Sequence, residues 1–146
     1  MNVAALGDGR SVPMLDHEHG LQQVLKMAKE DSRLLAAVLF GSRARGEATP
    51  ASDVDLCLVL DPTRANKDAV GAVKMEYLEK TPTDFDIQVY HTLPLYVRRR
   101  VLAEGKVLFC RDEDALYELA YRTIRAFEDF RPRYQYYLDE VARVGS

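Results

Sequence analysis

Seven apolar residues in succession, Leu34 to Phe40, end abruptly at Gly41. No other feature constrains the fold as much. The run is far short of the roughly 20 apolar residues that span a bilayer, and it suits a buried strand. Asp53 to Leu60 alternates: Asp53, Asp55, Cys57 and Val59 share one side, while Val54, Leu56, Leu58 and Leu60 form a greasy one. Asp84 to Tyr90 alternates again, with Phe85, Ile87 and Val89 opposite Asp84, Asp86, Gln88 and Tyr90. Lys106 to Cys110 is a short fourth strand.

Helical periodicity fills the intervals. His17 to Asp31 carries Leu21, Val24, Leu25 and Ala28 on one stripe, with Asp16 as a cap. Asn66 to Lys80 repeats Ala69, Val70, Val73, Tyr77 and Leu78, weakened by Gly71 and stopped by Pro82. Pro94 opens a short helix to Ala103, closed by Gly105. Asp112 to Val144 reads as mostly helical with an interruption at Pro132. The order predicts an α+β fold: a small mixed β-sheet with helices packed on one face, plus a long C-terminal helical extension. The expected organisation is a flexible leader over 1–16, a core domain over 17–110 and the extension over 111–146.

Composition narrows the function classes. The chain has 146 residues and a net charge of −3, from 20 basic and 23 acidic residues. No global basic field draws it to nucleic acid or to an anionic membrane. Arg98-Arg99-Arg100 is the one dense basic run, and on a helix the three diverge by roughly 100° each; it reads as solvated surface. The start has no basic segment or apolar stretch of a signal peptide. Cys57 and Cys110 lie in apolar stretches, as reduced thiols of a cytoplasmic protein do.

The acids need a separate explanation. Asp53 and Asp55 are two apart on a strand, so their carboxylates project to one side, roughly 6.5–7 Å apart at the backbone. Asp86 lies on the polar face of the next strand. Three ionised carboxylates brought together repel unless a cation sits among them or their pKa values rise. A set of acid oxygens favours a hard ion such as Mg²⁺, which keeps waters and takes substrate phosphates as further ligands. The bland alternative is a set of solvated acids on an open sheet face. Asp84 shares the face of Asp86 and competes with it. Upstream, Gly41-Ser42 follows directly on the apolar strand. Glycine permits close backbone approach, and serine adds a hydroxyl and an amide for a phosphate oxygen. Arg43 and Arg45 either pair with phosphates or face solvent as loop arginines. His17, Glu18 and His19 read as helix-start residues, and His91 as a structural histidine at a strand end.

Gly41-Ser42, ten residues, then Asp53-Val54-Asp55 resembles the Gly-Ser-x10-Asp-x-Asp signature of the DNA polymerase β-like nucleotidyltransferase superfamily. The stretch GSRARGEATPASDVDLCLVL looks like its small minimal nucleotidyltransferase (MNT) branch, and Asp86-Ile87-Gln88-Val89 resembles the strand of the third carboxylate. The resemblance covers about residues 20 to 110, making 17–110 a nucleotidyltransferase domain. It implies that Gly41 and Ser42 hold the triphosphate of ATP, with Arg43 and Arg45 as further nucleotide-binding candidates. It also implies that Asp53, Asp55 and Asp86 form the catalytic, metal-binding set for two Mg²⁺ ions. Two such ions can clamp the attacking and leaving oxygens of an in-line displacement, and Asp86 is the candidate to take the acceptor's proton. The implied reaction transfers AMP from ATP to a hydroxyl.

The acceptor is not written in this motif. In the extension, Leu116, Ala120, Thr123, Phe127, Phe130, Tyr134, Tyr137 and Val141 follow alternating four- and three-residue steps, the seam of a helix that packs on another. Unbroken, that helix is roughly 48 Å long, against a radius of gyration of about 15 Å for a compact chain of this length. It protrudes, folds back at Pro132, or crosses a partner; the restricted residue before proline favours a bend. MNT relatives pair with helical HEPN toxins, commonly RNases. The resemblance therefore implies a type VII-like antitoxin that adenylylates a tyrosine of a cognate HEPN toxin. A homo-oligomer is compatible with the seam; membrane and nucleic acid are not the expected partners. Two alternatives stand beside it: an antitoxin that neutralises its partner by contact alone, and a nucleotidyltransferase acting on a small molecule.

Overall fold

A computed structural model describes residues 18–47 and 53–144. The expected leader, the Asp16 cap, His17 and the loop residues 48–52 lie outside the described residues. The elements are α1 (Glu18–Glu30), β1 (Leu34–Phe40), β2 (Val54–Leu60), α2 (Lys67–Lys80), β3 (Phe85–Val89), α3 (Leu95–Glu104), β4 (Lys106–Cys110) and α4 (Glu113–Val144). Each falls within a residue or two of the periodicity in the sequence.

The four strands form one sheet in the order β3-β2-β1-β4. β1 runs antiparallel to both neighbours. β2 and β3 are parallel, a pairing that requires a crossover of a dozen or more residues; α2 provides it. Asn66 starts that helix, its side chain accepting from the amide of Ala69 at 2.8 Å, an N-cap bond of the usual kind.

Both sheet faces are covered, which corrects the expectation of helices on one face. On one side, Leu21, Val24 and Ala28 of α1 and Val70, Val73 and Tyr77 of α2 pack on Val54, Leu56, Leu58 and Leu60. On the other, Val101 and Leu102 of α3 and Leu116 and Ala120 of α4 cover Cys57, Val59 and Val38. The reason is legible in β2. Its acidic side turns apolar after Asp55, and Cys57 and Val59 must be buried as fully as the leucines opposite them.

Polar anchors lock the layers. Arg111 donates from Nε to the carbonyl of Leu34 and from one terminal nitrogen to those of Ala28, Lys29 and Asp31. It thereby ties the end of α1 to the start of β1 and supplies a donor to the carbonyl of Lys29 in the last turn of the helix. Asp31 accepts from the Arg33 guanidinium and from the Tyr77 hydroxyl, and Arg33 reaches on to Glu76 of α2. On the second face the hydroxyls of Tyr90 and Thr123 share a buried hydrogen bond.

The long helix settles one open alternative. α4 is a single helix of 32 residues with Pro132 inside it, so the chain does not fold back there. Proline removes one i→i−4 bond and crowds a carbonyl. Pro132 is exposed, so water reaches the orphaned carbonyl. The seam divides in two. Leu116, Ala120 and Thr123 are buried, and Phe127 is half-buried beneath the Arg99 guanidinium, 4.8 Å from its ring centre. Beyond it Tyr137 and Val141 are 62% and 53% exposed, so the distal half of the helix leaves the core. The Tyr134 side chain is outside the described set.

Candidate active site

The site forms where β1 ends and β2 and β3 begin. Gly41 closes β1 with φ +74°, in the left-handed region that glycine enters without steric cost. Phe40 is paired with Asp55 across the sheet, so the turn at Gly41 lies directly over the Asp55 carboxyl, leaving no room for a side chain. The chain then winds into a short helical turn: the amide of Arg45 donates to the carbonyl of Gly41 at 3.2 Å, and that of Glu47 to Ser42 at 2.9 Å. This is the strand, Gly-Ser and helical turn expected from the sequence.

The two loop arginines differ. Arg43 is buried, which excludes the reading of a solvent-facing residue. Arg45 is exposed, with Nε donating to Glu47 at 3.1 Å and a terminal nitrogen 3.7 Å from Glu104 at the end of α3. Ser42 is half-buried beside them.

Register brings the acids together. Asp55 of β2 stands opposite Asp86 of β3; Asp53 precedes β2 and is exposed. Burial, then the charges of Asp86 and Asp53, raise the pKa of Asp55 above its ordinary value, while the Arg45 charge acts against them. Asp84 is set apart by its position before β3. Its carbonyl accepts from the amide of Val54 at 3.0 Å, fixing the strand pair. Asp86 is the acid that stands opposite Asp55 and whose charge raises it. Among the described residues no group of three or more His, Cys, Asp or Glu side chains stands ready to hold a metal ion. Asp86 is turned toward Gln88, which donates to it at 3.0 Å.

His91 sits at the far end of the sheet. Its Nε2 accepts from the amide of Leu60 at 3.0 Å, the structural role expected for it. Gln88, Glu104 and Arg111 were not marked by the sequence. Gln88 shares the polar side of β3 with Asp86, which was the available signal; the others depend on contacts distant in the chain.

Residues 22–114 match the Polymerase beta, Nucleotidyltransferase family. The chain belongs to the polymerase β nucleotidyltransferase family. It is thus an enzyme of the nucleotidyltransferase class. A Methanocaldococcus jannaschii protein, named by inference a protein adenylyltransferase, is 32% identical over 105 residues, covering 70% of this chain and 76% of that protein. Among solved structures, a toxin–antitoxin complex with AMP-PNP contains a chain matched with TM-score 0.65 at 20% identity, over 85% of this chain and 97% of the other. The complex of a tri-AMPylated Shewanella oneidensis HEPN toxin with its MNT antitoxin gives TM-score 0.63 at 17% identity, over 86% and 98%. A Sulfolobus solfataricus nucleotidyltransferase structure gives 0.51 at 20%, over 67% and 84%. These structural likenesses establish the polymerase β nucleotidyltransferase fold. Among the described residues no helix is long and apolar enough to cross a membrane.

Proposed function

We propose that this nucleotidyltransferase transfers AMP from ATP to a protein hydroxyl, a tyrosine of a helical HEPN-type toxin, and acts as that toxin's antitoxin in the cytoplasm. One observation carries the reading: Asp55 and Asp86 face each other across β2 and β3, directly beneath the Gly41-Ser42 turn. The Gly-Ser turn and a pair of acids are brought to one place, an arrangement that suits transfer chemistry on phosphates. The named activities of relatives, an inferred protein adenylyltransferase and an AMPylated HEPN toxin with its MNT antitoxin, support the choice of acceptor.

Asp55 and Asp86, paired across the strands, have the right chemistry for the Mg²⁺ that the family implies, with Asp53 to be drawn in as the third acid. Asp53, Asp55 and Asp86 offer hard carboxylate oxygens; burial first and then repulsion from the other two acids raise Asp55, and a cation would relieve the repulsion. When bound, the ions supply charge neutralisation at the phosphates and a more acidic acceptor hydroxyl. The residues do the rest. The Gly41 backbone and Ser42 hold the triphosphate, joined by Arg43 and by Arg45 once it exchanges Glu104 for phosphate. The tyrosine oxygen attacks the α-phosphorus, the bond to the bridging oxygen breaks, and pyrophosphate leaves. Asp86 receives the tyrosine proton. Such help matters because a free tyrosine has a pKa near 10.

The test uses purified chain, Mg²⁺, ATP and a co-incubated HEPN protein, with intact mass as the readout. The partner should gain one or more AMP masses with wild type and none with Asp55→Asn. Neutralisation by contact alone is the second reading, favoured by the exposed distal half of α4. An inhibited but unmodified partner would establish it.

A further inference from the structure

Gln88 is unusual for its position. It follows Asp86 by two residues on β3, on the same side, and stands opposite Cys57, which is fully buried. A β-branched or aromatic residue would suit this half-buried strand position better. The amide instead turns to Asp86, with Nε2 donating to Oδ1 at 3.0 Å. The orientation is unambiguous, since a carboxylate only accepts. Asp86 itself is exposed and would otherwise sample several rotamers in water. It also interacts with the Asp55 carboxyl on the neighbouring strand. Asp86 thus has two polar neighbours, Gln88 on its own strand and Asp55 opposite it on β2.

We propose that Gln88 is a positioning residue for nucleotide transfer: its amide fixes the plane of the Asp86 carboxylate beside Asp55, so that a divalent cation meets two acids already held together. The inference rests on the metal-dependent reading above. Groups that orient metal-binding side chains in this way are worth about 10- to 100-fold in affinity or activity.

The probe is Mn²⁺ alone, titrated into the full chain and followed by electron paramagnetic resonance of the free ion. Steady-state AMP transfer and melting temperature are measured in parallel. Gln88→Leu removes the donor at similar volume, and Gln88→Met serves if the leucine variant does not fold. Either should weaken Mn²⁺ binding about 10-fold or more, and lower kcat with little change in KM for ATP. Melting temperature should hold within a few degrees. A purely structural role would lower the melting temperature and leave the Mn²⁺ affinity of the folded protein unchanged. Affinity and kcat within twofold of wild type would overturn the inference. Asp55→Asn separates the two claims. If it abolishes Mn²⁺ binding while Gln88→Leu does not, only the role of Gln88 fails. If it binds Mn²⁺ as wild type does, the metal-dependent reading itself fails.

Discussion

A Cβ placed on Gly41 would stand 2.1 Å from Oδ2 of Asp55 and 2.9 Å from its Cγ. The glycine is therefore part of the carboxylate's environment as well as of the turn. Gly41→Ala should displace Asp55 and also strain the backbone, since φ is +74° and a left-handed residue other than glycine costs about 1–2 kcal/mol. The expected result is a protein that still folds, melts several degrees lower, and has lost AMP transfer. A variant with wild-type transfer would show that Asp55 can move aside without consequence. Thermal melts and a labelled-ATP transfer assay read the two effects separately.

His91 gives a pH dependence of stability with a defined sign. Burial pushes its imidazole below the ordinary value of 6.5, and Nε2 must be unprotonated to accept from Leu60. The unfolded chain therefore takes up a proton at higher pH than the folded one. Stability should fall as pH drops through about 6.5 and stop falling, for this group, below the folded value. In His91→Gln that segment of the stability–pH curve should flatten. Urea unfolding between pH 5 and 8 measures it.

Arg111 serves four carbonyls around the end of α1. Arg111→Ala should cost about 1–3 kcal/mol, because the part-buried bonds to the carbonyls of Leu34 and Ala28 are lost together with two exposed ones. Lysine should rescue little, having one compact ammonium where the guanidinium forks. Chemical denaturation at neutral pH is the check, with transfer activity of the folded protein expected to stay near wild type.

The seam of α4 dictates where a truncation can be placed. Removing everything after Arg111 would strip Leu116 and Ala120 from the core and should unfold the domain. Ending the chain after Glu128 removes only the distal half, where Tyr136, Tyr137, Leu138 and Val141 are exposed. That shorter chain should bind ATP as wild type does, and capture of the HEPN partner should fall at least 10-fold. Co-purification with the partner and nucleotide binding are the measurements. Unchanged capture would move the docking surface to the body of the domain.

The fold was largely legible because its strands write themselves in pattern. The Leu34–Phe40 run and the alternation after Asp53 each fixed an element within a residue. The covering of the second face was harder to see. Cys57 and Val59 lie in line with Asp55, and one polar residue at the start of a strand masked an apolar continuation. Pro132 left the course of the extension open for a different reason. A local preference against helix was outweighed within a 32-residue helix whose proline lies in water. Of the candidate acids, the spacing placed Asp55 on a strand, and Asp53 lies just before it. Asp86 was preferred to Asp84 on its resemblance to the third-carboxylate strand; that it stands opposite Asp55 needed the register between two strands, which no local pattern carries. Gln88 needed the bond itself.

The outer strands β3 and β4 are only five residues long, and among the described residues no further strand pairs with either. Open edges invite strands from other molecules, and short, charged ones discourage them. On β3 the guarding charge is Asp86, exposed at the middle of the first half of the strand. A charge on an edge strand disfavours pairing with another strand, so the acid proposed for the chemistry also bears on self-association. Neutralising it to make an inactive control affects both at once, and such a control can be lost to aggregates before its chemistry is ever assayed.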